Sequence, residues 1–459
     1  MDIEAVLARA RGRVDPEPAE RERLEGVARE LLERARAALA ELPVEADALR
    51  VGSTARDTWV AGDRDVDVFV RFPPELSRER LEEYGLRVGH SVLPAGREEF
   101  AEHPYVTGEY DGFDVDCVPC YAVPAATEAR SSVDRTPFHT EYLRKRLDER
   151  LAGEVRLAKG FLKGAGVYGS DLRTRGFSGY LTELLVLEYG GLRELLTAAA
   201  DWSPPVTLDP AGHAAASFED PLVVVDPTDP ERNVAAVVSE RNVTRLVHHA
   251  RSFLGAPAVE AFEPDDPAPL PPEAVREHVR RRGTTPLAVV FDAPNVVADQ
   301  LFPQLRRSLS GLRSALDRRG FDVLRGTVAA EPGERRDEWG TAALLVECEV
   351  AERPAVERHE GPPVHVAEHA TAFYEAYADD SAVYGPFVEG DRYVVERPRE
   401  FTTARAVAEG DALLEAGHGA RVEEALREGY DVLAGEAVAR LAESEPLGVA
   451  LAAYFDPRP

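Results

Sequence analysis

The sequence predicts a multidomain chain, α/β at its N-terminal end and α+β beyond. Three observations carry that reading. At 459 residues the chain is longer than one typical domain. Strand-like and helix-like runs alternate from residue 47 to residue 121, with carboxylates on the strands. A stretch rich in Pro and Asp at 256–273 reads as a linker.

The elements follow in order. Residues 18–41 read as an amphipathic helix, because Leu24, Val27, Leu31, Leu32, Ala35 and Leu39 recur near a 3.6-residue period. Past Pro43 the chain is extended through Ala46, Leu49 and Val51. Val66 to Val70 reads as a strand that Pro73-Pro74 ends, 77–93 as a helix, and Phe113 to Tyr121 as a second strand. From 154 to 189 the pattern is helical, broken by a Gly-rich turn at 164–169 and restarted near Ser178. A loop with Asp226-Pro227 and Asp229-Pro230 leads to a helix over about 233–254. Beyond the linker, Leu287–Phe291 and Ala342–Val350 read as strands. Residues 301–319 form a helix with Leu301, Leu305, Leu309, Leu312 and Leu316 on one face. A helix near 366–377, a strand at 391–396 and helices over roughly 403–441 complete the chain.

Composition bounds the function classes. Hydrophobic residues at 44% are ample for packed cores and exclude a disordered chain. No run approaches the ~20 apolar residues of a membrane span, and Met1 opens directly onto charged sequence without a signal-peptide pattern. Three cysteines, Cys117, Cys120 and Cys348, fit no disulfide framework and suit a reducing, cytoplasmic compartment. The 83 acidic against 54 basic residues give a net charge of −29, which taken alone disfavours nucleic acid. Yet only Lys145, Lys159 and Lys163 are lysines; the other cations are arginines. Acidic excess with scarce lysine resembles proteins of cytosols that hold molar salt, where the Debye length falls to about 3 Å. Residues 130–176 run against the rest, with eleven basic and six acidic side chains, and hold all three lysines.

The chemistry starts at Asp65-Val66-Asp67-Val68. Residues i and i+2 of a strand share a face, so two carboxylates converge while the valines turn inward. That spacing suits Mg²⁺ ions about 3.5–4 Å apart, the arrangement for in-line nucleotidyl transfer. In so acidic a chain the pair means little alone. About a dozen residues upstream stands Val51-Gly52-Ser53-Thr54-Ala55-Arg56, where backbone N–H groups, a hydroxyl and an arginine make a cradle for a triphosphate. A third carboxylate, Asp116, lies on the strand Phe113-Asp114-Val115-Asp116. Asp114 shares its face and reads as acidic background. Cys117-Val118-Pro119-Cys120 has no second Cys or His pair to complete a zinc site.

Gly-Ser, then Asp-x-Asp, then a distant strand Asp is the signature of the polymerase-β-type nucleotidyltransferase fold. The segments Gly52–Arg56, Asp65–Phe72, His103–Val106, Val115–Tyr121 and Asp134–His139 further resemble the archaeal (class I) CCA-adding enzymes, a family of tRNA nucleotidyltransferases. So do Glu154–Leu157 with Lys159–Lys163, Tyr168-Gly169, Arg175–Tyr180 and Arg232–Ala236; the likeness continues more thinly through Leu301–Leu305, Gly385–Phe387 and Phe401–Thr403.

The resemblance implies a catalytic head at 1–148 and a helical neck at 149–258. It implies an α+β body at 259–300 and 385–459, and a tail at 301–384 that helps hold the tRNA elbow. It implies template-independent addition of C, C and A to tRNA 3′ ends from CTP and ATP, with Asp65, Asp67 and Asp116 holding two Mg²⁺ ions. Ser53, Arg56, His139, Lys159 and Tyr168 match nucleotide contacts, and Arg232 a contact near the nucleobase and primer end. A cytoplasmic homodimer that needs no membrane is implied as well. The helix 301–319 adds a basic face, with Arg306, Arg307 and Arg313 as candidate tRNA contacts. Two alternatives stay open at this point: another RNA nucleotidyltransferase, such as a poly(A) polymerase, and a non-catalytic RNA-binding protein on the same fold.

Overall fold

The computed structural model describes residues 2–100, 102–264, 267–333 and 338–459. They form two compact units, residues 1–265 and 266–458, with Pro459 counted in the first.

In the first unit, helices α1 (Ile3–Val14) and α2 (Pro18–Leu39) lead to strands β1 (Asp47–Val51) and β2 (Asp65–Phe72). Helix α3 (Arg78–Val92) and strands β3 (Arg97–Phe100), β4 (Pro104–Tyr110) and β5 (Phe113–Tyr121) follow. The five strands make one sheet in the order β1-β2-β5-β4-β3, in which only β2 and β5 run parallel. Alternation does the sorting. Val66, Val68, Val70 and Phe72 of β2, with Phe113, Val115 and Cys117 of β5, pack against Leu24, Val27 and Leu31 of α2 and Leu81 and Val88 of α3. The intervening residues of both strands, the aspartates among them, therefore face the other way. Cys117 and Cys120 fall on opposite faces of β5, both buried, and burial pushes the Cys117 thiol up to about 12.

Helices α4 (Thr136–Arg144), α5 (Glu149–Gly164), α6 (Gly179–Tyr189) and α7 (Leu192–Ala199) come next. Strands β6 (Val206–Leu208), β7 (Leu222–Asp226) and β8 (Asp229–Asn233), then α8 (Glu240–Gly255), complete the unit. Asp148, Ser178 and Ser239 cap α5, α6 and α8 by accepting from the N–H groups of Leu151, Leu181 and Asn242. Three expectations are corrected here. The region 149–258 is not purely helical: β6, β7 and β8 form a small sheet, and the Asp226–Asp229 stretch is a hairpin within it, not a loop. Helix α1 belongs with the helices rather than the head sheet, because Val6, Leu7, Ala10 and Val14 share a core with Leu151, Val155 and Phe161 of α5. The expected linker begins too early: Val259 and Phe262 are buried in that same core, while residues 265 and 266 lie outside the described ones.

The second unit contains α9 (Pro272–Arg282), β9 (Thr285–Asp292), α10 (Ala298–Asp317), β10 (Val323–Pro332), β11 (Trp339–Cys348), β12 (Val356–Pro363), α11 (Ala367–Tyr377), β13 (Tyr384–Glu389) and β14 (Arg392–Pro398). It ends with α12 (Ala404–Glu409), α13 (Asp411–Leu414), α14 (Ala420–Glu428), β15 (Asp431–Ala434) and α15 (Glu445–Phe455). An antiparallel sheet, β10-β11-β9-β15, is covered on both faces. Leu287, Val289 and Phe291 meet α10 and α12 to α14; Ala288, Ala343 and Leu345 meet α9 and α15. A separate sheet, β12-β14-β13, carries α11. Packing thus departs from the expected body and tail. Leu301, Leu305, Leu312 and Leu316 of α10 share the core of β9 and of Val407 and Leu413, so the boundaries at 300 and 385 cut across one hydrophobic core. Among the described residues, no helix is long and apolar enough to cross a membrane.

Candidate active site

The parallel register of β2 and β5 sets Asp67 beside Asp116 and Asp65 beside Asp114. Neighbouring strands lie about 4.8 Å apart, so four carboxylates share one patch of the sheet's open face. Asp67 sits deepest. Burial, then the charges of Asp116 and Asp65, push its carboxyl up to about 7 against the pull of Arg56. Carboxylates that repel one another in this way are hard, anionic oxygen donors, the kind that suits Mg²⁺. Among the described residues, no group of three His, Cys, Asp or Glu side chains is placed to hold a metal ion.

Beside Asp67, β1 ends in the turn Gly52-Ser53. Val51 pairs with Asp67 across the ladder, and the backbone at Gly52 has φ of +73°. A Cβ there would run into the Asp67 carboxylate, so glycine is required both by the turn and by the close approach. The half-buried Ser53 follows, and its carbonyl accepts from the Thr58 N–H at 3.0 Å.

The sequence expectation has Arg56 and Lys159 touching a triphosphate. In the structure both side chains are engaged by a buried carboxylate. Glu183 of α6, wholly buried, accepts from Arg56 Nε at 3.2 Å and from Arg56 Nη2 at 2.8 Å. Arg56 Nη1 donates to Thr140 Oγ1 at 3.0 Å, and the Thr58 hydroxyl donates to Glu183. Lys159 Nζ, 2% exposed, donates to the Thr58 carbonyl at 2.8 Å and stands 3.9 Å from Glu183. Burial brings the Lys159 ammonium down to about 8, although Glu183 resists. One carboxylate therefore holds two cations at the junction of sheet and helices. One turn further along α5, the partly exposed Lys163 pairs with Asp63 at 2.7 Å and lies 5.4 Å from the centre of the Tyr168 ring. Tyr168 is packed close to Lys159: a Cβ on Gly179 would meet the Tyr168 hydroxyl at 3.2 Å and Lys159 Nζ at 3.7 Å.

A second buried carboxylate organises the remaining candidates. Asp226, at the end of β7, bonds His139 Nε2 at 2.9 Å, Arg232 Nη1 at 2.6 Å and the Tyr180 hydroxyl at 3.2 Å. The His139 ring stacks on Tyr180 with centroids 4.0 Å apart. Burial holds His139 below the usual imidazole value despite Asp226, so it is neutral near pH 7. His139 is thus largely enclosed, whereas Arg232 opens onto a cavity of about 860 Å³ lined also by Arg135, Ser178 and Asn233. The arginines of α10 lie in the other unit. Arg307 and Arg313 are exposed, Arg313 pairing with Asp317 at 3.5 Å, and Arg306 rests 6.0 Å from the Phe302 ring centre.

With this geometry in view, the relatives decide the family. Residues 32–139 match the nucleotidyltransferase domain, 153–263 the tRNA nucleotidyltransferase second domain, and 282–435 the CCA-adding enzyme C-terminal domain. The CCA-adding enzyme of Halorubrum lacusprofundi is 62% identical over 463 residues, covering 100% of both chains. That of Haloarcula marismortui is 60% identical over 465 residues, covering 100% of this chain and 99% of its own. The CCA-adding enzyme of Methanoregula boonei is 44% identical, covering 92% of this chain and 90% of its own. The chain belongs to the CCA-adding enzyme family. It is a nucleotidyltransferase that acts on tRNA, and its salt-adapted composition agrees with its haloarchaeal relatives.

Three side chains to which the sequence reading gives no role, Glu183, Asp226 and Lys163, contact candidate site residues. Glu183 gave no local signal, since Arg56 stands 127 residues away; Asp226 bonds His139 87 residues away, but also Arg232 only 6 residues on. Lys163 did have a local signal. It lies four residues after Lys159 on the same helix, and four residues is one turn.

Proposed function

We propose that the chain completes tRNA 3′ ends by adding C, C and A in sequence from CTP and ATP, with Asp65, Asp67 and Asp116 as the catalytic carboxylates. The observation that carries the reading is the register of Asp67 against Asp116 beside the Gly52-Ser53 turn. Nucleotidyltransferases generally use divalent metal ions, and two Mg²⁺ ions belong to the reading. Mg²⁺ is usually held by one or two carboxylates with substrate phosphates and water rather than by an all-protein cage, which fits an open set of aspartates. When bound, the ions lower the pKa of the tRNA 3′-hydroxyl and neutralise charge on the triphosphate.

The chain's own residues do the rest. Asp116 takes the proton of the 3′-hydroxyl as its oxygen bonds to the α-phosphorus. The bond from that phosphorus to the β-bridging oxygen breaks, and pyrophosphate leaves with the electron pair. Ser53 and the turn N–H groups donate to the triphosphate. Arg56 and Lys159, with two positive charges against the one of Glu183, supply a net positive field from behind, and Lys163 and Tyr168 flank the nucleotide. Arg232, steadied by Asp226 together with His139, borders the nucleobase and primer end. In the second unit, exposed Arg307 and Arg313, with Arg306, are offered to the tRNA backbone. A cytoplasmic workplace, supported by three free buried cysteines, and a homodimer complete the reading.

The test supplies tRNA lacking its 3′ CCA with separately labelled CTP and ATP in molar KCl. Two C's, one A and a stop are expected; a growing A tail would return the poly(A) polymerase reading. Asp67→Asn and Asp116→Asn should abolish addition while tRNA binding is retained. Substantial turnover in either variant would overturn the assignment.

A further inference from the structure

The sheet of the first unit has a free edge at β1, and there α2 and α4 wall a groove of about 830 Å³. None of the three catalytic aspartates lines it. On α2 the lining residues Glu25, Arg29, Leu32 and Arg36 recur at helical spacing; on α4 so do Phe138, Glu141 and Lys145, with Arg144 beside them. Two helices therefore turn basic stripes toward each other over an apolar floor of Ala28, Leu32, Leu49 and Phe138.

The charge is out of character for the chain. Six cationic residues, Arg29, Arg36, Arg50, Arg71, Arg144 and Lys145, face only two carboxylates in the lining, although the molecule as a whole carries −29. Local pairing accounts for half of them. Arg50 pairs with Glu25 at 2.7 Å, Lys145 with Glu141 at 2.5 Å, and Arg71 with Asp47. Among the described residues, no ion pair or side-chain hydrogen bond engages the exposed guanidinium groups of Arg29, Arg36 or Arg144. A second observation points to a ligand. An adjoining cavity of about 450 Å³ shares Glu25, Arg50, Ala55 and Arg144 with the groove and reaches Thr54. Two polar atoms there lack partners: Arg50 Nη1, and the hydroxyl of Thr54, a residue only 3% exposed. Buried donors left open beside unpaired cations cost stability unless something fills the place.

We propose that this groove binds the phosphodiester backbone of the RNA substrate, as a second phosphate site on the head distinct from the one that takes the nucleotide triphosphate. Guanidinium groups fork onto phosphate oxygens, and the apolar floor takes the ribose faces that a backbone segment presents between phosphates. The groove continues to Thr54 and Arg56, so RNA held there bears on the rear of the turn that receives the triphosphate. The inference rests on tRNA being the substrate.

The test measures the affinity of the full chain for tRNA lacking CCA by fluorescence anisotropy across a KCl series. The variants are the double substitution Arg29→Glu/Arg36→Glu and, separately, Arg144→Glu, all at exposed side chains with no partner to lose. Each should weaken tRNA binding about tenfold, and each phosphate contact removed should lower the salt slope by about one relative to wild type. Comparing slopes cancels the repulsion set by overall charge. Arg29→Lys/Arg36→Lys should restore most of the affinity. Wild-type affinity and slope in both glutamate variants would overturn the groove while leaving the proposed function standing. Failure of the wild type itself to bind tRNA would overturn both. Tripolyphosphate separates the remaining source: if it binds wild type but not the variants while their tRNA affinity is unchanged, the groove is a site for free polyphosphate and the RNA proposal falls.

Discussion

Glu183 shows how one side chain can set the charge of a site it does not line. Its carboxylate is wholly buried, holds Arg56 in a fork, accepts from Thr58 and faces Lys159. Removing its charge leaves two cations in a dry seam with no counter-charge. Breaking a buried pair in this way costs about 3–5 kcal/mol. Glu183→Gln should therefore lower the melting temperature by on the order of 10 °C, since about 1 kcal/mol moves a unit of this size by roughly 2–4 °C. Glu183→Asp, which keeps the charge at a shorter reach, should fall between. Thermal melting in molar KCl checks both, and a wild-type melt for the glutamine variant would show the seam to be hydrated and the charge balance unimportant. Gly52 is the contrasting case, a constraint of space rather than charge, because any side chain there competes with the Asp67 carboxylate.

Elements in the second unit are tied by another buried acid. Glu347 of β11 bonds Arg282 at the end of α9 at 2.6 Å, Tyr454 of α15 at 3.0 Å, and Arg325 of β10 at 3.3 Å, and accepts from Thr284. Hydrogen bonds from these partners hold its carboxyl at about 2 against burial, which would raise it. A depressed acid stabilises the fold fully above its unfolded value near 4.5, and the contribution is lost as pH falls through about 2. From the shift, wild type should exceed Glu347→Gln by about 3 kcal/mol at pH 7 and by only about 1 kcal/mol at pH 3. Urea unfolding at the two values checks this; a gap that does not change with pH would mean that packing, not charge, holds the strand. Such ties were not legible in the sequence, whereas periodic apolar faces were. α2, β2, β5 and α10 followed from their spacing, and with them the shared face of the aspartates. β3 was missed because Arg97-Glu98-Glu99 carries no apolar alternation. β7 was missed although Leu222-Val223-Val224-Val225 is a buried apolar run with three β-branched valines, because the prolines beside it drew the reading to a loop. Lys159 and Lys163 could not be told apart in exposure, since depth in a packed seam depends on Thr58 and Glu183, which only the fold brings near.

At the scale of the whole molecule, the charge of −29 and the polyanionic substrate are at odds in dilute salt and compatible in concentrated salt. The Debye length is about 10 Å at 0.1 M and about 3 Å at 1 M. At the lower value, exposed carboxylates across each unit repel one another and repel an approaching RNA. At the higher, only close pairs are felt, so the cations proposed to meet RNA act with the global repulsion removed. Two outcomes should move together as KCl rises from about 0.1 to about 2 M. The melting temperature should climb, because screening relieves self-repulsion more than it weakens surface ion pairs, which are each worth at most about 1 kcal/mol. The tRNA affinity should stay level or tighten over the same range, where an ordinary basic RNA binder would lose several orders of magnitude to counterion competition. Melting curves and equilibrium binding on the same samples provide the check. Tightest binding near 50 mM with a steep negative slope would mean that the local cations, not the overall charge, govern encounter with RNA, and the salt-adapted reading of the composition would fall.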